Sequence, residues 1–274
     1  MTLITVYRHK PISKGDTDGI ICLSDSLISE INNPQKRYTQ NSIKVLSLSF
    51  AYHFESASYP KLIKNEIGLA YAGNTSIALQ TFNTIRIFCQ NIAPSKTTKY
   101  FTPSIVSIAN MIQYVLNNYY LSYGEQIETM ANTDFLIFGF CFKEQKFKLF
   151  HISAQIVDNN ATTTVKDINI DELNHYSIGT GEKEFNKFYK NSANKNILYC
   201  FKDFIKTDSA KNKATGGYII KALASIGYFR YYAEINDNNY DLLQINSSQI
   251  GGFSFIPFVS EDYIVSMTMN PFLS

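Results

Sequence analysis

Strand-like segments occur in pairs along this chain, and pairs of helix-like segments separate them. The first strand pair comprises residues 2–8 and 19–25, the second of which is the continuous run Gly-Ile-Ile-Cys-Leu-Ser-Asp. Short apolar or alternating runs bounded by polar turns are typical of strands, and two neighbouring runs favour an antiparallel hairpin. This order restricts the chain to folds in which helices pack on antiparallel sheets.

The same pattern predicts further strands and the loops between them. Strands are predicted at 42–49, 66–73, 134–142, 147–152, 175–178, 218–223 and 230–235, and polar loops at 9–19, 32–40 and 158–164.

Four helices are predicted from apolar residues at helical spacing and from capping signals. The first spans residues 77–92 behind the capping sequence Asn74-Thr75-Ser76, because Asn, Thr and Ser side chains accept hydrogen bonds from the first helical N–H groups. The second begins at Thr102-Pro103-Ser104, with proline at the favoured first position, and ends near residue 123. The remaining two are predicted at 182–190 and 196–206.

These elements predict an α+β fold in one domain. The chain has 274 residues, of which 45% are hydrophobic, and this length suits one large or two small domains. Since no linker, charge run or repeat divides it, we expect a single domain over residues 1–274. Its predicted architecture is a four-layer αββα sandwich of two antiparallel sheets flanked by helices, with residues 249–274 as a C-terminal extension.

Charge and composition argue against several classes of partner. The net charge is +2, from 25 basic and 23 acidic residues, which favours neither nucleic acid nor an anionic membrane as a partner. Neither a signal peptide nor a run of about 20 apolar residues is seen. We therefore expect a soluble, cytoplasmic protein.

The cysteine and histidine positions predict no metal or cofactor. The histidines are scattered, and the cysteines are far apart within apolar runs, which is typical of buried free thiols in a reducing compartment. The four cysteines are Cys22, Cys89, Cys141 and Cys200.

The residue that follows the initiator methionine is a candidate nucleophile. Thr2 is small enough for Met1 to be removed, which would leave a hydroxyl and a free α-amine on one residue. The ordinary pKa of such an amine is about 7.7–8.0, so it can accept a proton at neutral pH. An N-terminal threonine activated by its own amine is a known type of nucleophile. Many ordinary proteins also begin with Met-Thr, so this feature alone is weak.

Four further segments follow Thr2 in a recognisable order. They are Cys22-Leu23-Ser24-Asp25-Ser26, Lys44-Val45-Leu46-Ser47-Leu48, Tyr71-Ala72-Gly73-Asn74 and Ser177-Ile178-Gly179-Thr180-Gly181. With Thr2, they resemble the motifs of the proteasome β-subunit family and the bacterial proteasome-like peptidases, which are N-terminal-nucleophile (Ntn) hydrolases. The resemblance extends from Thr2 to about residue 223.

The resemblance implies a role for each matching residue. Thr2 would be the nucleophile, with its α-amine as the proton acceptor. Asp25 would pair with Lys44, and the Lys44 charge would lower the pKa of the Thr2 hydroxyl. The backbone N–H of Gly73 would form the oxyanion hole at a helix N-terminus. Thr180 would replace the family's serine that binds the free amine.

One position departs from the family pattern. The family has an aspartate three residues before a Ser-Gly-Gly element, whereas this chain has Asn212 before Thr215-Gly216-Gly217. The Asn212 carbonyl can accept a hydrogen bond, but it carries no charge that would stabilise a protonated amine. Asn212 therefore belongs to the candidate site and affects the expected rate more than the expected fold.

The function implied by the resemblance is that of a threonine endopeptidase. Its substrate would be an unfolded polypeptide or a peptide, its assembly a homo-oligomeric ring or a related oligomer, and an ATPase unfoldase is a further expected partner. Two alternatives stay open. A catalytically inactive scaffold subunit is favoured by Asn212 and by retention of Met1, and a small-molecule amidase of the same superfamily would keep the chemistry with another substrate.

Each site residue also has an ordinary structural interpretation. Asp25 would then stabilise a turn, Lys44 would lie on the exposed face of a strand, and Gly73 would serve only its turn. Likewise, residues 179–181 would form an ordinary tight loop. These interpretations differ from the catalytic one in where they place the side chains of Asp25 and Lys44.

Overall fold

The computed structural model describes most of the chain as far as residue 232 and four short strands beyond it. The described residues are 2–11, 13, 16–29, 37–39, 42–55, 60–92, 103–123, 132–157, 160–210, 215–216, 219–232, 248–250, 253–255, 258–259 and 264–265. Asn212, Gly217, Tyr218 and the predicted strand residues 233–235 lie outside them.

Within the described residues the chain forms four helices and sixteen strands. In chain order they are β1 (Ile4–His9), β2 (Gly19–Asp25), β3 (Ile28–Ser29), β4 (Arg37–Thr39), β5 (Val45–Glu55), β6 (Pro60–Gly73), α1 (Thr75–Gln90), α2 (Ile105–Tyr123), β7 (Thr133–Cys141), β8 (Lys146–Val157), β9 (Asn160–Ile168), β10 (Tyr176–Ile178), α3 (Glu182–Asn191), α4 (Ile197–Ala210), β11 (Ile219–Ala224), β12 (Phe229–Tyr232), β13 (Ser248–Ile250), β14 (Phe253–Phe255), β15 (Phe258–Val259) and β16 (Ile264–Val265).

Two five-stranded sheets form the main framework of the described residues. The first sheet has the order β10-β1-β2-β11-β12, and the second has the order β5-β6-β7-β8-β9. All neighbouring strands in both are antiparallel. Since β1 lies between β10 and β2, residue Ile4 is paired with both Ile178 and Ser24. The start of β1 is therefore beside the ends of two other strands.

Three clusters of buried apolar side chains hold these elements together. One lies between the two sheets and includes Val6, Cys22 and Phe138. Another joins the second sheet to α1 and α2, and the third joins the first sheet to α3 and α4. Because strand side chains alternate between faces, each sheet contributes to the central cluster and to one helix-facing cluster.

The structure confirms the predicted combination of two antiparallel sheets with helices. It also confirms that Asn74 caps α1, since the Asn74 side chain accepts a hydrogen bond from the N–H of Ile77 at 3.1 Å. The four cysteines are buried free thiols, as expected. Of the helices in the described part of the chain, none is both long enough and apolar enough to span a membrane.

Three local predictions were wrong. Residues 160–164, predicted as loop, belong to edge strand β9, because β-branched threonines suit a strand even where they are polar. Residues 37–39, predicted as part of a loop, pair with β3. Helix α2 starts at Ile105, and its first turn is capped by Ser104, which accepts a hydrogen bond from the Ser107 N–H, so the preceding proline is not in the helix.

Candidate active site

The end of β2 is tied to the residue that follows Thr2. The N–H of Leu3 donates to Asp25 Oδ1 at 3.0 Å, and the N–H of Asp25 donates to the Leu3 carbonyl at 3.1 Å. The β1–β2 ladder thus ends in a side-chain contact, because Asp25 is the last residue of β2. The Asp25 carboxylate is consequently fixed one residue from Thr2.

Asp25 forms a buried ion pair with Lys44. The distance from Lys44 Nζ to Asp25 Oδ1 is 2.9 Å, and the two side chains are 1% and 0% exposed. Lys44 also donates to the carbonyl of Leu27, and the Gly216 N–H donates to Asp25 Oδ2 at 3.3 Å. Buried charges occur almost only when they are paired and hydrogen-bonded. The structure therefore excludes the interpretation in which Lys44 lies on an exposed strand face.

Burial opposes the charged form of both partners. It raises the pKa of the Asp25 carboxyl, while the Lys44 ammonium and the N–H groups of Leu3 and Gly216 oppose this shift. Burial likewise lowers the pKa of Lys44, and the Asp25 carboxylate opposes that change. Each partner thus favours the ionised form of the other, against the effect of burial.

The turn between β10 and α3 contacts both backbone polar groups of Thr2. The N–H of Thr2 donates to Thr180 Oγ1 at 3.2 Å, and the N–H of Gly181 donates to the Thr2 carbonyl at 3.3 Å. Thr2 is 7% exposed. The turn therefore fixes the Thr2 backbone, in addition to the Asp25 contact at the neighbouring Leu3.

Gly179 allows this close approach. Its φ is +96°, and a Cβ on this residue would lie 2.2 Å from the Thr2 carbonyl oxygen and 3.5 Å from the Cβ of Ala72. Side chains are disfavoured both by that backbone conformation and by that distance. The glycine also shows that Thr2, the β10–α3 turn and the end of β6 meet at one place.

We predict that Gly179→Ala destabilises the protein more than the matched substitution Gly227→Ala. Gly227 also has a positive φ, +80°, but a Cβ there would meet only the ring of Phe142 at 3.5 Å. The left-handed backbone alone costs about 1–2 kcal/mol, and overpacking adds about 1–3 kcal/mol at Gly179 alone. Urea unfolding of both variants measures the difference, and equal losses would contradict the close packing of the turn on Thr2.

Gly73 lies where β6 gives way to α1. It is the last residue of β6, it is exposed, and its φ is +95°. Helix α1 follows directly, with Asn74 as its N-cap. The N-terminal end of a helix favours negative charge because its first N–H groups lack helical partners. This end of α1 is adjacent to Ala72, which lies beside Gly179.

Four of the six predicted site residues are brought together by hydrogen bonds. Thr2 is linked to Thr180 directly, and it is linked to Asp25 and Lys44 through the N–H of the neighbouring Leu3. Gly73 forms no hydrogen bond to these four residues. It lies near them because its neighbour Ala72 is beside Gly179. Asn212 lies outside the described residues, although Thr215 is within packing distance of Gly181, where a Cβ would lie 2.7 Å from its methyl group.

Sequence reasoning missed the backbone groups of the site. Lys44 donates to the Leu27 carbonyl, and the Gly216 N–H donates to Asp25. Residue types do not reveal such contacts, because nearly every residue has a backbone carbonyl and N–H. Their presence depends on the loop after β2 and on the segment before β11. In the described part of the chain, no group of three or more His, Cys, Asp or Glu side chains is arranged to hold a metal ion.

Solved structures with the same architecture support the assignment of the fold. A mutant of Anbu from Hyphomicrobium sp. strain MC1 aligns with a TM-score of 0.51 and 13% identity over 88% of this chain and 89% of that one. Anbu from Yersinia bercovieri, described as an ancestral beta-subunit, aligns with a TM-score of 0.51 and 13% identity over 86% and 88% of the respective chains. The chain has a proteasome-like fold. No protein-family model and no curated protein matches the sequence.

A structural match at 13% identity establishes the architecture of the chain but not its activity. The activity has to be argued from the residues of the site. Both alignments cover more than four fifths of each chain. The fold alone does not determine function, since one architecture carries many chemistries. The functional conclusion therefore depends on Thr2, Asp25, Lys44 and Thr180.

Proposed function

We propose that this chain is a threonine peptidase of the Ntn-hydrolase type, with Thr2 as its nucleophile after removal of Met1. The observation that carries the proposal is the buried Asp25 carboxylate, which accepts hydrogen bonds from both the Lys44 ammonium and the N–H of Leu3. A fully buried ion pair bound to the backbone next to a threonine is a costly arrangement for a purely structural role. A positive charge near a threonine hydroxyl lowers the pKa of that hydroxyl, which is one way to activate it as a nucleophile.

The proposed reaction uses the two functional groups of Thr2. The α-amine accepts the proton of the hydroxyl as Oγ1 attacks the substrate carbonyl, and the Lys44 charge stabilises the developing alkoxide. The Gly73 N–H and the N-terminal end of α1 stabilise the oxyanion of the tetrahedral intermediate. When the peptide bond breaks, the protonated amine returns its proton to the leaving nitrogen. Water then attacks the Thr2 ester by the same route and releases the acid.

The immediate partners of the α-amine are uncharged in this proposal. The backbone nitrogen of Thr2, which becomes the amine, donates to Thr180 Oγ1 at 3.2 Å. Asn212 is proposed as a further acceptor in place of the family's aspartate. Neutral acceptors orient the amine and stabilise its protonated form less than a carboxylate would, so they raise its pKa less.

The finer features of the fold and assembly belong to the same proposal. The three apolar clusters support a four-layer αββα sandwich in a single domain over residues 1–274, with residues 249–274 as an extension. A homo-oligomer is supported by large apolar side chains exposed on α1 and α2, among them Ile87, Tyr114 and Leu121 at 58%, 68% and 65%. Peptide or polypeptide substrates and an ATPase unfoldase partner follow from the family resemblance, and a cytoplasmic location follows from the cysteine pattern of the sequence.

Mass spectrometry of the protein from its native host tests the proposal. We expect the intact mass to lack Met1 and an electrophilic peptide inhibitor to add once, with the adduct on Thr2 in the peptide map. Retention of Met1 would overturn the peptidase and favour the inactive scaffold subunit, for which Asn212 is the supporting residue. Adduct formation together with turnover of small amides but not of fluorogenic peptides would favour the amidase.

A further inference from the structure

A hydrogen-bonded chain of three side chains connects the second sheet to the turn that holds Thr2. His151 Nε2 lies 3.0 Å from Asp134 Oδ1, and His151 Nδ1 lies 2.8 Å from the Tyr176 hydroxyl. Asp134 and His151 belong to β7 and β8, whereas Tyr176 is the first residue of β10 in the other sheet. The three groups therefore bridge the two sheets.

Both ring nitrogens of His151 have a polar partner. The Asp134 carboxylate can only accept, so Nε2–H donates to it. Nδ1 lies within hydrogen-bond distance of the Tyr176 hydroxyl, which can donate or accept. The side chains of His151 and Asp134 are 20% and 28% exposed, so this chain is partly shielded from water and stronger than one on the surface.

Both ends of this hydrogen-bonded series, Asp134 and Tyr176, lie next to elements of the proposed site. Tyr176 comes three residues before Gly179, at the other end of the short strand that leads into the turn. Asp134 is paired with Ala72, the residue before Gly73. The three side chains thus connect the β6–β7 pair, which ends at Gly73, to β10, which leads into the turn that contains Thr180.

Charged residues lie near this hydrogen-bonded chain. Glu182, the first residue of α3, interacts electrostatically with both His151 and Asp134. Burial and Asp134 raise the pKa of Glu182, whereas His151 and Lys183 oppose this shift. Burial, Glu182 and Asp134 raise the pKa of Tyr176, which keeps its hydroxyl protonated as a donor. On the β9 side, Lys166 is paired with His151 in the sheet, and Lys183 adjoins Glu182.

We infer that the chain Asp134–His151–Tyr176 positions the β10–α3 turn against Thr2, with His151 and Tyr176 as positioning residues for the proposed reaction. Edge strand β10 is only three residues long, and among the described residues it has a ladder partner only on its β1 side, so the Tyr176 hydroxyl supplies a restraint from the other sheet. Without it, the N–H of Gly181 and the hydroxyl of Thr180 would be held less firmly on Thr2. This inference rests on the proposed function for its catalytic part and on the contacts of Thr2 for its structural part.

Tyr176→Phe tests the inference, with Tyr119→Phe as the matched control. Tyr119 also forms a partly buried hydroxyl bond, 2.7 Å from Thr84 Oγ1, but it joins α1 to α2 away from the turn. Loss of one such bond is expected to raise hydrogen exchange at the Gly181 amide about fivefold in Tyr176→Phe and to leave it unchanged in Tyr119→Phe. The kcat of peptide cleavage falls by a similar factor in Tyr176→Phe, while KM stays within twofold.

The two readouts separate this inference from the proposed function. Unchanged exchange at Gly181 in Tyr176→Phe overturns the inference, whatever the activity. Raised exchange with unchanged kcat, in a wild type whose activity depends on Thr2, also overturns it. Raised exchange in a protein whose activity is indifferent to Thr2→Ala supports the positioning and overturns the peptidase. An equal loss of kcat in Tyr119→Phe assigns the effect to general destabilisation and overturns the inference.

Discussion

Thr2→Ala is expected to lower kcat/KM for a fluorogenic peptide by at least about 10³-fold, because it removes the attacking oxygen while it leaves the fold intact. The backbone N–H of Thr2 donates to Thr180 Oγ1 and its carbonyl accepts from the Gly181 N–H, and neither bond involves the Thr2 side chain. The substitution should therefore leave the free energy of unfolding nearly unchanged. Continuous fluorescence assays and urea unfolding on the same preparations measure both quantities.

Thr2→Ser is the matched control for this experiment. Serine supplies the same hydroxyl and, after removal of Met1, the same α-amine, so we expect activity within about tenfold of the wild type. Alanine, serine and threonine are all small enough to permit removal of the initiator methionine, and intact mass confirms this for each preparation. Full activity of Thr2→Ala, with Met1 removed, would exclude Thr2 as the nucleophile.

Much of the fold could be predicted because local patterns agreed with tertiary packing. The apolar run from Gly19 to Asp25 forms β2 with the predicted bounds, since a strand that is buried on both faces has no polar alternation to obscure it. The cap of α1 by Asn74 could also be predicted, because it depends only on neighbouring residues. Strand β9 could not be predicted, because a run of threonines at a sheet edge has the polarity of a loop and only its pairing with β8 shows the strand.

The site was predictable only in outline. The order of motifs identified Asp25 and Lys44, but residue type alone favours exposed positions for both, and their burial depends on the loop that brings Leu27 and Gly216 to them. The contact between His151 and Tyr176 could not have been predicted. It joins strands of different sheets, and its geometry depends on strand registers that no local pattern specifies.

The second large effect is expected for the ion pair. Asp25→Asn and Lys44→Met should each lower the free energy of unfolding by about 3–5 kcal/mol, because removal of one partner leaves the other buried without compensation. Asparagine at position 25 has a second constraint. Its amide oxygen can accept from the N–H of Leu3 or of Gly216, but its amide nitrogen would then face the remaining N–H.

A double-mutant cycle separates the pair from its surroundings. The double variant should be destabilised by less than the sum of the single variants, by about 2 kcal/mol or more, because neither buried charge remains in it. Asp167→Asn is the control. It makes the same chemical change in a pair with Lys148, in which the aspartate is 51% exposed, so a loss of less than about 1 kcal/mol is expected. Simple additivity at positions 25 and 44 would show that the two charges do not stabilise each other, and the electrostatic activation of Thr2 would lose its structural basis.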